Sequence, residues 1–73
     1  MTPSVPIVSG AEVIRVLGQI GFHQVGQRGS HVKLRDSTNR TVIVPLHKEL
    51  ARGTLAAVLR QAGITTSDLL KLL

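Results

Sequence analysis

The residues best suited to chemistry lie in one short stretch, residues 28–35, with the sequence RGSHVKLR. Within it, His31, Lys33 and Arg35 alternate with two aliphatic residues. Successive side chains of a β-strand point to opposite faces of the sheet. A strand here would therefore point an imidazole and two cations in one direction and seat the aliphatic side chains in a core. The pattern predicts a phosphate-binding surface, with His31 as the residue placed to act on the phosphate.

The start of the stretch, Arg28-Gly29-Ser30, predicts a tight turn. Glycine lets a backbone come close to a ligand, so we expect Gly29 and Ser30 to admit a scissile phosphate to His31. An imidazole beside cations is suited to removing the proton of a ribose 2′-hydroxyl, and Lys33 and Arg28 would stabilise charge on the attacked phosphate. The alternative is that His31 only fills space or makes a structural hydrogen bond. On the catalytic hypothesis, valine at Gly29 should abolish cleavage and leave the fold intact.

Other candidate phosphate contacts lie further along the chain. His47, next to Lys48 in a predicted loop, is a candidate for a second acid–base group, a phosphate contact or a solvated loop histidine. A helix start at Gly53-Thr54 would offer free N–H groups to an anion, and Thr54 is therefore a candidate binding residue. His23 is assigned no role, because the face of its strand is ambiguous.

The sequence shows no pattern of metal ligands. The three histidines lack metal-ligand spacing, and the four acidic residues, Glu12, Asp36, Glu49 and Asp68, are scattered. A two-metal phosphodiesterase is built around metal ions that need clustered ligands. We therefore expect a metal-independent site without a cofactor.

The composition favours a polyanionic partner. Nine Lys and Arg against four Asp and Glu give a net charge of +5, with a pI near 11.4. An excess of this size in a small domain usually indicates nucleic acid, although it could serve solubility alone. Phe22 is the only aromatic residue, so recognition by base stacking is disfavoured. The chain has no cysteine, no apolar run of the roughly 20 residues of a membrane span and no signal-peptide pattern, which favours the cytoplasm.

The predicted elements form an α+β domain. A helix over residues 9–20 is indicated by a capping box of Ser9 and Glu12. Extended segments are predicted at 22–27, 30–35 and 40–44, with a polar hairpin turn over residues 36–39 between the last two. A second helix over 54–62 takes Thr54 as its N-cap and ends at Gly63. A short third helix should run from 66 or 67 to 73. Residues 1–8 are predicted to be a flexible tail and 9–73 a single domain, with helices on one face of an antiparallel sheet.

Two groups of motifs resemble the HicA-type toxins. Residues 21–34 contain Gly-Phe and Gly-Ser-His-x-x-Leu, and residues 44–64 contain Val-Pro, His-Lys-Glu-Leu, Gly-Thr-Leu and Leu-Arg-Gln-Ala-Gly-Ile, in the family's order. The resemblance implies a double-stranded-RNA-binding-like α-β-β-β-α fold. It also implies the mRNA interferase toxin of a type II toxin–antitoxin system, with His31 catalytic. A HicB-type antitoxin would then cover the His31 face.

Two other function classes compete with a ribonuclease. A non-catalytic double-stranded-RNA-binding module of the same fold would use His31, Lys33 and Arg35 only for phosphate or 2′-hydroxyl contacts. A DNA-binding antitoxin fits less well, because the predicted 54–62 helix carries a single cation, Arg60, and no basic recognition helix is evident.

Overall fold

The computed structural model describes residues 6–73. Its elements are α1 (Gly10–Gln19), β1 (His23–Arg28), β2 (His31–Arg35), β3 (Thr41–Pro45), α2 (Arg52–Ala62) and α3 (Thr66–Leu72). The three strands form one antiparallel sheet in the order β1-β2-β3. This confirms the predicted α+β fold of α-β-β-β-α order with a short C-terminal helix. Within the predicted tail, residues 1–5 lie outside the described residues.

The start of α1 is closed by reciprocal hydrogen bonds. The Glu12 N–H donates to Ser9 Oγ at 3.0 Å, and the Ser9 N–H donates to Glu12 Oε1 at 2.9 Å, which confirms the predicted capping box. The hydrogen bond from the Ser9 backbone holds the pKa of Glu12 below its ordinary value. Val8, just before the cap, is buried, and its carbonyl accepts a hydrogen bond from the Leu50 N–H at 2.8 Å. Val8 therefore belongs to the packed part of the chain.

The core lies between the helices and one face of β2 and β3. Val32 pairs with Val44, and Leu34 pairs with Val42; all four side chains are buried. The alternate residues of β2 lie on the opposite face, where His31 and Lys33 are exposed, as the alternation predicted. The helices contribute most of the other core side chains, including Val13, Val16, Leu17, Leu55, Val58, Leu59 and Leu69.

Strand β1 contains an irregularity at Val25, between Gln24 and Gly26. Gln24 pairs with Leu34 and Gly26 with Lys33, so Val25 has no partner on β2. Phe22 is buried just before the strand, whereas Val25 is 44% exposed. Phe22 and Val25 are three residues apart, so their side chains would point to opposite faces of a regular strand. Only Phe22 lies in the core.

The hairpin between β2 and β3 is held by one carboxylate. Asp36 Oδ1 accepts hydrogen bonds from the Thr38 N–H, the Thr38 hydroxyl and the Arg40 N–H, at 3.0, 2.7 and 2.9 Å. These bonds, the one from the Thr38 side chain first, hold the pKa of Asp36 below its ordinary value. Asn39 has a φ of 67°, a left-handed conformation that asparagine tolerates. The polar turn predicted from the sequence is confirmed.

The predicted start of α2 at Thr54 is wrong. The helix begins at Arg52, its N-cap is Ala51, and no side chain caps it. The buried Leu50, tied to Val8 through its N–H, positions the chain so that the first helical bond runs from the Leu55 N–H to the Ala51 carbonyl at 2.9 Å. Thr54 is thus the third residue of the helix, because tertiary packing sets the start in place of a capping side chain. The predicted end at Gly63, with φ +74°, is confirmed.

Helix α3 packs on the domain through Leu69, which is fully buried. Its N-cap is Thr65, whose hydroxyl accepts from the Asp68 N–H at 3.1 Å, while Asp68 Oδ2 accepts from the Thr65 N–H at 2.9 Å. This capping box starts the helix at Thr66, one of the two predicted positions. Between residues 6 and 73, no helix has the length and apolar character of a membrane span.

Candidate functional site

His31 is the first residue of β2 and its side chain is exposed. It lies opposite Arg28 of β1 on one side and Pro45 of β3 on the other. Directly opposed residues of antiparallel strands share a face of the sheet. The Arg28 side chain therefore leaves the same face as His31, at the end of the β1–β2 hairpin.

A groove of about 430 Å³ runs from His31 to α2. We call it the histidine groove, because both His31 and His47 line it and none of its lining residues is acidic. Thr54, one of the predicted binding residues, lies in its wall. The structure therefore brings together three candidates that are separated by up to 23 positions in the sequence. The full lining is His31, Ile43, Pro45, His47, Gly53, Thr54, Ala57, Val58 and Gln61.

The wall contributed by α2 follows helical spacing. Thr54, Ala57, Val58 and Gln61 are related as i, i+3, i+4 and i+7, so they lie on one face of the helix. Gln61 Oε1 accepts a hydrogen bond from the Ile43 N–H at 3.0 Å, which joins the helix to the outer edge of β3. No role was predicted for Gln61 from the sequence. Its spacing from Thr54 was the signal that could have found it.

The loop that carries His47 is fixed to the rest of the domain by its backbone. The Leu46 N–H donates to the Ser30 carbonyl at 2.7 Å, and the Gly10 N–H donates to the His47 carbonyl at 2.9 Å. Gly10 lies so close to the loop that a Cβ atom there would overlap the Pro45 carbonyl oxygen. The backbone of His47 is therefore held between the sheet and the start of α1, although its side chain is exposed.

A second groove, of about 460 Å³, adjoins the first and contains the cations. We call it the cation groove. It shares His31 and Ile43 with the histidine groove and adds the exposed side chains of Arg28 and Lys33. His31 thus stands between a groove with a second imidazole and a groove with two positive charges. The remaining lining residues are Gly26 and Gln27.

Besides Gly29 and Ser30 of the β1–β2 turn, two of the predicted binding residues, Arg35 and Lys48, line neither groove. Arg35 is four residues along β2 from His31, a Cα separation of roughly 13 Å in an extended strand. It is partly buried, and its Nε donates to Thr41 Oγ1 at 3.3 Å. Lys48 is exposed in the loop after His47 and lines neither groove. A ligand at His31 would reach these residues only if it extended along the sheet or the loop.

Comparison with known protein families now identifies the chain. The family model described as the HicA toxin of bacterial toxin-antitoxin systems matches residues 10–64. The chain belongs to the HicA toxin family. The matched segment contains every residue that lines the two grooves and ends before α3. No curated protein sequence matches the chain. As a HicA toxin, it has a cognate antitoxin as its partner.

The acidic residues of this HicA toxin are kept away from the grooves. Glu12 and Asp68 cap helices and Asp36 holds a hairpin, so these carboxylates serve the fold. Hydrogen bonds from Thr65, backbone first, hold the pKa of Asp68 below its ordinary value. Over residues 6–73, no three His, Asp or Glu side chains gather as they would around a metal ion. No acidic residue lines either groove, and the charged residues in their linings are Arg28 and Lys33.

The backbone conformation of the β1–β2 turn explains why this HicA toxin has a glycine at position 29. Gly29 has a φ of +57°, and it is the first of the two residues between the paired Arg28 and His31, a position where two-residue hairpin turns need a positive φ. A Cβ atom at Gly29 would meet no atom within 4 Å, so the need for glycine there is conformational. We therefore expect valine at this position to destabilise the fold, because a β-branched residue is strained at this φ.

We expect Gly29→Val to lower the free energy of unfolding by at least about 1–2 kcal/mol, the cost of a left-handed conformation for an L-residue. Gly29→Asn is the matched control, because asparagine tolerates positive φ, and it should lose clearly less. Urea unfolding followed by circular dichroism measures both. A valine variant as stable as the wild type would show that the turn does not need this conformation.

Proposed function

We propose that this HicA toxin is a metal-independent endoribonuclease, an mRNA interferase that arrests translation by cutting RNA. The observation that carries the proposal is the position of His31 between an acid-free groove with a second imidazole and a groove with Arg28 and Lys33. General-base catalysis needs an accessible proton acceptor such as an imidazole, and positive charge beside the phosphate stabilises the transition state. His31 provides the first and the cation groove provides the second.

In the proposed reaction, His31 takes the proton from a ribose 2′-hydroxyl. The 2′-oxygen then bonds to the adjacent phosphorus, and the bond from phosphorus to the 5′-oxygen of the next nucleotide breaks. Arg28 and Lys33 stabilise the negative charge on the phosphate while it is five-coordinate. The products are an RNA with a 2′,3′-cyclic phosphate and an RNA with a 5′-hydroxyl.

The remaining candidates are assigned to binding. Thr54 lies in the first turn of α2, where backbone N–H groups lack helical partners and attract anions, and it lines the histidine groove. Gly29 and Ser30 form the turn beside His31, both are exposed, and a Cβ atom at Gly29 would meet nothing within 4 Å. Arg35 and Lys48 lie outside the grooves, so they are suited to flanking phosphates of a longer strand.

The antitoxin partner is proposed to be a HicB-type protein that covers the His31 face. Ile43 and Leu46 are 37% and 42% exposed, and Ile43 lines both grooves. A protein that buried them would also close the path of RNA to His31. Residues 9–73 would act as a single domain, to which the buried Val8 also belongs, in the cytoplasm, where mRNA is translated.

The test of the proposed function is RNA cleavage by the purified wild-type protein in EDTA. We expect cut products ending in 2′,3′-cyclic phosphate, and analysis of the product ends by mass spectrometry checks this. Loss of cutting in EDTA would contradict a metal-independent mechanism. Salt-sensitive RNA binding without products would favour the alternative, a non-catalytic double-stranded-RNA-binding module of the same fold.

A further inference from the structure

We infer that His47 is the general acid that protonates the leaving 5′-oxygen. The inference rests on the proposed ribonuclease function and assigns the second proton transfer that the reaction needs. An alkoxide is a poor leaving group, so a positioned proton donor on the far side of the phosphate from the base accelerates the break of the phosphorus–oxygen bond.

The two histidines are close enough to flank a single phosphodiester. His31 and Pro45 are directly opposed across β2 and β3, and His47 follows Pro45 by two residues. A pair of opposed residues places Cα atoms about 4.5–5.5 Å apart, and two residues span at most about 7 Å. The Cα atoms of His31 and His47 therefore lie within about 12 Å of each other, with both side chains on one groove.

The backbone of His47 has the rigidity that a catalytic group requires. Hydrogen bonds from Leu46 to Ser30 and from Gly10 to His47 fix the loop at two successive residues. The first of these joins the His47 loop directly to the turn that precedes His31. The two imidazoles are thus carried on backbone segments that are bonded to each other, which preserves their spacing.

The other groups near His31 are less suited to donating this proton. Apart from the two histidines, the histidine groove is lined only by apolar residues, a glycine, Thr54 and Gln61, none of which titrates near neutral pH. Arg28 in the cation groove carries a guanidinium, which does not release its proton in proteins. Lys33 is the remaining titratable group that shares a groove with His31, and the experiment distinguishes it from His47.

The proton balance of the reaction is complete with these two residues. His31 begins neutral and gains the 2′-hydroxyl proton as the new bond from the 2′-oxygen to phosphorus forms. His47 begins as an imidazolium and gives its proton to the 5′-oxygen as the bond between that oxygen and phosphorus breaks. Exchange with water afterwards returns each imidazole to its starting protonation state.

The test compares two substrates that differ in one atom. One is an RNA oligonucleotide with the natural 5′-oxygen at the scissile position, and the other carries a bridging 5′-sulfur there. A thiolate leaves without being protonated, so the sulfur substrate removes the need for a general acid but not for a general base. Cleavage rates in EDTA are measured for the wild type and for His47→Ala, His31→Ala, Lys33→Ala and His23→Ala.

We expect His47→Ala to cut the oxygen substrate roughly 100-fold or more slowly, the usual contribution of an acid–base group, and the sulfur substrate at the wild-type rate. His31→Ala should be slow on both substrates. His23→Ala should match the wild type on both, because His23 lines neither groove. Thermal melts that coincide with the wild type confirm that the exposed His47 side chain is not needed for folding.

Four results would overturn the assignment of His47 as the general acid. An equal loss for His47→Ala on both substrates would show that His47 only contacts phosphate. If the sulfur substrate restores cleavage by Lys33→Ala but not by His47→Ala, the general acid is Lys33. If the wild type cuts neither substrate, the proposed function fails and the assignment fails with it; a wild type that cuts both, beside a fully active His47→Ala, removes the assignment alone.

Discussion

RNA cleavage by the His31→Ala variant is expected to fall by at least about 100-fold, because general acid–base catalysis typically contributes that much or more. His31 is the one histidine that lines both grooves. The substitution therefore removes the proposed general base, which lies between the second imidazole and the cations. The side chain is exposed and β2 is held by its backbone pairing, so the fold should be unchanged. Initial rates on an RNA substrate in EDTA measure the effect.

The matched control is His23→Ala, the same substitution at the far end of the sheet. His23 pairs with Arg35, is exposed and lines neither groove, so this variant should cut at the wild-type rate. Expression of the two variants in growing cells gives a second measurement, in which only His31→Ala should relieve growth arrest. Wild-type cleavage by His31→Ala, or equal losses in both variants, would contradict the proposed role of His31.

Gly10→Ala is expected to lower the free energy of unfolding by about 1–3 kcal/mol, the usual cost of forcing an atom into a filled space. The added Cβ would overlap the Pro45 carbonyl oxygen and lie near Leu46, both of which are backbone contacts that cannot rotate away. A domain of this length has a total stability of only roughly 4–11 kcal/mol. The substitution should also displace the His47 loop, since Gly10 donates the hydrogen bond that holds it.

The same helix offers an internal control in Gly18→Ala. A Cβ atom at Gly18 would meet nothing within 4 Å, and the residue lies inside α1. Alanine there should stabilise the protein by up to about 1 kcal/mol, because it has the higher helix propensity. Urea unfolding midpoints of the two variants should therefore move in opposite directions. A Gly10→Ala midpoint at or above that of the wild type would show that Gly10 does not pack closely against the backbone of Pro45 and Leu46.

Much of the local structure of this HicA toxin follows from the sequence alone. The Ser9–Glu12 capping box, the polar turn at residues 36–39 and the end of α2 at Gly63 depend on residues within four positions of each other. The alternation over residues 31–35 predicted which side chains face solvent, because strand geometry has a period of two. These features were predictable since their hydrogen bonds and conformations are made by neighbours in the chain.

The set of residues that line the histidine groove depends on the tertiary structure. The start of α2 at Arg52 depends on the packing of Leu50 against the segment at Val8, which no local signal specifies. The presence of His47 and Gln61 beside His31 depends on the loop after β3 and on where α2 crosses the edge of that strand.

Thus the sequence by itself determined a basic, outward-facing histidine strand in an α+β domain. The fold decided which candidates share a groove with that histidine and which, like Arg35, lie too far along the strand. The physical reason is the separation in sequence of the interacting residues. Helix caps, turns and the alternation of strand side chains depend on residues only a few positions apart. The spacing of His31 and His47 instead depends on backbone contacts between α1, β2 and the loop, which form only when the whole chain packs.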